Sequence, residues 1–94
     1  MSVEEIPKLI EDLNLRVSKN YQKMNAKQLS AELRAVMEFE RQTFQKLEEF
    51  EKKGMEQDLT TYAKLVCKNT TEREIGEIQE VYLKKIDEEY LRSR

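Results

Sequence analysis

Few residues in this chain could do chemistry: one thiol, Cys67, and nineteen carboxylates, with no histidine anywhere. Histidine is the usual general base near neutral pH, the usual zinc ligand, and half of the Glu-x-x-His element of di-iron bundles. Without it no Cys–His dyad can form, and no glycine-rich loop is present to cradle a phosphate. The acidic runs Glu48-Glu49 and Asp87-Glu88-Glu89 fall on expected helices, where adjacent side chains point in different directions. They read as solvated surface. A lone cysteine cannot form an internal disulfide, so Cys67 reads as a buried structural thiol and favours a reducing compartment. The expectation is a chain without catalytic residues, cofactor or metal, and therefore not an enzyme.

One carboxylate stands apart. Glu40 lies in the middle of an apolar stripe made by Leu33, Val36, Met37, Phe44 and Leu47. A buried carboxylate without a partner is costly, so it must be paired, protonated or turned to a solvated groove. Lys85, at the edge of a later apolar stripe, is a candidate partner; Glu40 then fixes register or marks a docking gap, or else its carboxylate simply reaches the edge of the bundle.

A second constellation is basic. Arg16, Lys19, Lys23 and Lys27 recur at helical spacing, and Arg34 and Arg41 continue at intervals of seven. Such a patch suits an acidic partner or phosphates. Yet the net charge is −2 and only Tyr21 interleaves these cations, so a stacking platform for single-stranded nucleic acid is not expected.

These residues need elements to position them. Charged residues make up 38% of the 94 positions and hydrophobic ones another 38%, with two glycines and one proline. That composition suits a helical bundle and lacks the turn material of an all-β fold. The central stretch from Ala26 to Lys53 carries three start signals: Asn25 as N-cap, Gln28 completing a capping box, and a Met24–Leu29 staple. Gly54, after Lys52 and Lys53, is the stop.

Ser2 with Glu5 is expected to cap a first helix over 3–22. Its stripe of Ile6, Ile10, Leu13 and Val17 folds back on the central helix, Val17 near Leu33 and Leu13 near Val36. After Gly54 the pattern gives a short helix over 56–68. An interruption at Asn69, Thr70 and Thr71 follows, and Thr71 with Glu74 caps a last helix over 72–91. The alternative is one long kinked helix across 56–92. Gly76 would either weaken that helix or admit a close neighbour.

The fold class is therefore all-α: an antiparallel helical hairpin extended to a three- or four-helix bundle, with 1–94 a single domain. No apolar run is long enough to span a membrane, and the acidic start does not resemble a signal peptide, so an intracellular location, cytoplasmic or nuclear, is expected. Asn69-Thr70-Thr71 matches a glycosylation sequon, read as accidental in that setting. The expected function is a non-catalytic protein-interaction module or small subunit of a larger assembly. Its partner, another chain or a second copy forming a homodimer, packs on the central helix at Phe39, Glu40, Phe44, Leu47 and Phe50. The alternative is an accessory protein binding nucleic acid or anionic phospholipid through Arg16, Lys19, Lys23, Lys27, Arg34 and Arg41.

Overall fold

The computed structural model describes residues 5–54 and 57–91, which form three helices and no strand. α1 spans Glu5–Leu15, α2 Ala26–Lys52 and α3 Gln57–Ile86, with a 3-10 turn at Tyr21–Lys23 and a π-helical turn at Asp87–Leu91. The all-α expectation holds. α2 and α3 run antiparallel, as the contacts Glu51–Lys64, Glu40–Thr71 and Ala26–Glu89 show in sequence. α1 packs against them near the Gly54 end, antiparallel to α2, and the whole is a rod 58 × 21 × 17 Å. Among the described residues no helix is long and apolar enough to cross a membrane.

α2 begins and ends where its local signals place it. The Asn25 side chain accepts from the Gln28 N–H at 2.8 Å, and the Gln28 side chain accepts from the Asn25 N–H at 3.0 Å. Two of the four unsatisfied amides of the first turn region are thereby satisfied reciprocally. Gly54 has φ of 81°, a conformation that costs a residue with a Cβ but not glycine.

α1 is shorter than its stripe predicts. It ends at Leu15 rather than near 22, and Val17 is 81% exposed, so the expected Val17–Leu33 contact is absent. The Tyr21 N–H donates to the Lys19 carbonyl at 3.0 Å, closing an inverse γ-turn about Asn20. Leaving the helix here lets the chain bury Tyr21 in the distal core. The Ser2 cap lies outside the described residues.

α3 corrects the expected break at 69–71. It runs unbroken from Gln57 to Ile86, so Thr71 and Glu74 form no capping box and the single-helix alternative is the one observed. Thr70 and Thr71 are buried, and the Thr71 hydroxyl lies 2.9 Å from the Cys67 carbonyl one turn back. Packing overrides their weak helix preference. Gly76 has nothing within 4 Å of where a Cβ would stand, so no neighbour requires a glycine there.

Two apolar clusters fill the interior. Near the Gly54 turn, Ile6, Leu47, Phe50 and Ala63 pack with Leu9, Ile10 and Leu59. In the distal half, Tyr21, Leu29, Val36, Ile78 and Val81 pack with Met24, Leu33, Ile75 and Tyr82.

Candidate functional site

Between the two clusters lies a belt of polar side chains. Glu40 and Thr43 from α2 meet Cys67 and Thr71 from α3, and buried Thr70 and Glu74 lie on the same face of α3. The Thr71 hydroxyl donates to the Glu40 carboxylate, which corrects the candidate Lys85 partner. Lys85 sits fourteen residues further along α3, roughly 21 Å away at 1.5 Å per residue.

Arg16, freed from α1 by that helix's early end, reaches into the same belt. Its Nε lies 2.6 Å from Glu74 Oε2, and its guanidinium carbon sits 4.3 Å above the Phe39 ring. The Glu74 side chain is 4% exposed and that of Arg16 32%. A carboxylate so enclosed is tolerable because a delocalised cation meets it and an aromatic face supports that cation from below. Among the described residues every fully buried side-chain nitrogen or oxygen has a hydrogen-bond partner.

Cys67 is fully buried within the belt. Burial first, then the nearby Glu40 carboxylate, pushes its thiol up to about 11, against the opposite pull of the Thr43 hydroxyl and Arg16. It is a thiol, not a thiolate, at neutral pH and a poor nucleophile. No group of three or more metal-ligating side chains occurs among the described residues. The belt links α2 to α3 through the Thr71–Glu40 hydrogen bond and ties the chain after α1 to α3 through Arg16 and Glu74.

The expected partner-binding residues separate into three places. Leu47 and Phe50 are 0% exposed inside the proximal cluster. They hold this chain together and cannot anchor a second one, which corrects that expectation. Phe39 lies half-buried on the side covered by α1, beneath Arg16. Glu40 and Phe44 are half-buried on the opposite side.

The basic residues do not form one surface. Arg16 is spent on Glu74, Lys19 pairs with Glu32 at 3.0 Å, and Arg41 pairs with Glu38. Arg34 bonds the Ser30 carbonyl at 3.4 Å and hydroxyl at 3.2 Å, while Lys23 and Lys27 are exposed. Three of the six charges are thus compensated within the chain.

What the two-helix frame leaves open is a face. α1 and the segment after it cover one side of the α2–α3 hairpin, touching Phe39, Lys46, Glu74, Glu77 and Val81. The other side carries two hollows lined by α2 and α3 alone. One, about 480 Å³, is lined by Met37, Glu40, Arg41, Phe44, Gln45 and Glu48. The other, about 410 Å³, is lined by Leu33, Gln79, Tyr82 and Leu83. Met37 is 55% exposed and Leu83 68%.

The sequence contains the signal for this face. Leu29, Val36, Thr43 and Phe50 recur every seven residues and are buried, while Ser30, Met37 and Phe44 recur one step on and are not. α2 is apolar over a wider arc than α3 can cover. No protein-family model matches the chain, and neither a curated protein nor a solved structure matches it.

Proposed function

We propose that this chain is a non-catalytic helical interaction module that takes a partner helix along the open side of α2. The observation that carries the reading is Met37, more than half exposed between half-buried Leu33 and Phe44, on a side that no helix among the described residues covers. Helix stability comes mostly from packing an apolar face, and a contiguous exposed apolar seam marks an interaction surface. The lack of histidine and the enclosed, protonated Cys67 support a role without turnover.

A photo-crosslinking amino acid placed at Met37, compared with one at Leu65 on the outer side of α3, tests this in the cells the chain comes from. Adducts concentrated at position 37 are expected, and Met37→Glu should abolish those formed from neighbouring positions on the same seam. Equal labelling at both positions, or none at either, would end the docking account.

A further inference from the structure

We infer that the helix received by the open side of α2 is an amphipathic helix of another protein with an acidic flank; this rests on the docking reading above and names its partner's chemistry. Lys27, Arg34, Arg41 and Glu48 recur every seven residues, which places them in one row along the edge of the seam. Arg41 and Glu48 line the same hollow as Met37 and Phe44, and Arg34 is tied to Ser30 of that seam. All four are exposed.

Neither Lys27 nor Arg34 has a carboxylate partner among the described residues, and Arg41 has only a surface pair with Glu38 one turn back on its own helix. The row therefore offers two cations without a carboxylate partner and a third, Arg41, already paired with Glu38, and ends in one anion. A helix lying along it covers about 32 Å between Lys27 and Glu48, the length of roughly six turns. Charges flanking an apolar seam select partner and direction. The matching helix carries carboxylates opposite Lys27, Arg34 and Arg41, and a cation at the end that meets Glu48.

The same row disfavours a second copy in the antiparallel register centred between Met37 and Glu38. Although Lys27 would then meet Glu48, Arg34 would face Arg41 at the centre, twice by symmetry. Like charges so placed disfavour association.

The probe is a synthetic amphipathic helix of six turns with leucines on its seam, made in two forms, glutamate-flanked and lysine-flanked. Binding to the full chain is read by fluorescence anisotropy at low and physiological salt. The glutamate form should bind roughly tenfold more tightly, the preference shrinking as salt rises. Arg34→Glu combined with Lys27→Glu should reverse the preference. Both sites are exposed, so circular dichroism should show the fold unchanged. Equal binding of the two forms, no binding of either, or a preference that survives the charge reversal overturns the inference. So does a dimer by light scattering that Met37→Glu dissolves. Crosslinking concentrated at position 37 alongside any of these failures would leave the docking site standing and remove only the acidic partner.

Discussion

A hydroxyl carries one proton, and Thr71 has three acceptors competing for it: the Glu40 carboxylate, the Cys67 carbonyl at 2.9 Å and the Lys68 carbonyl at 3.3 Å. Such sharing keeps a carboxylate satisfied without importing a second charge into the interior. The neighbouring thiol has a measurable consequence. Cys67 is pushed up from 9.0 to about 11, so as pH rises the unfolded chain loses this proton before the native one does. Stability from the protonated thiol is intact below the unfolded value and is lost as pH climbs through about 9 to 11. Thermal melts across that range should show wild type losing on the order of 2 kcal/mol more than Cys67→Ala. Buried Tyr21, also raised by burial, contributes the same sign to both proteins and cancels in the comparison. Parallel pH profiles would refute the placement of the thiol in the belt. The sequence singled out Glu40 because it interrupts an apolar stripe. It hid Thr71, because a threonine after Asn69 and Thr70 reads as a helix breaker until its long-range partner is known.

At the scale of elements, α3 carries a removable weakness. Gly76 is exposed in the helix interior, and a Cβ there meets nothing within 4 Å. Gly76→Ala should therefore stabilise the chain by about 1 kcal/mol, which raises the melting temperature by about 4–8 °C in a domain of this size. A loss of stability in denaturant titration would mean that a neighbour does approach that site. The bounds of α2 were legible because Asn25, Gln28 and Gly54 act within one turn of themselves. The end of α1 and the continuity of α3 were not. The first goes with Arg16 reaching Glu74 and the second with Thr71 reaching Glu40, partners 58 and 31 residues apart, and no local pattern encodes that distance.

The whole molecule is two apolar clusters with a polar belt between them. Side chains in different clusters share no packing neighbours, so their deletions should act independently. Ile6→Val in the proximal cluster and Ile78→Val in the distal one should each cost about 0.5–1.5 kcal/mol. The double variant should match their combined cost to within about 0.5 kcal/mol. A larger departure would show that strain passes through the belt. Helical class was readable from composition and period alone. The uncovered face was so only in part: two adjacent seven-residue stripes stand in the sequence, but which of them is left bare depends on how α3 packs on α2.

At the far end of the rod, the π-helical turn brings Glu89 Oε2 within 3.3 Å of the Ala26 N–H. A carboxylate at the first amide of α2 meets both an unsatisfied donor and the positive pole of that helix. The two long helices are thus joined by covalent chain at Gly54 and by a charge-assisted hydrogen bond at the opposite tip. Fraying, which usually starts from loose ends, finds neither end of this pair loose, and slow amide exchange should extend further toward both tips of α2 than in a hairpin fastened only at its bend.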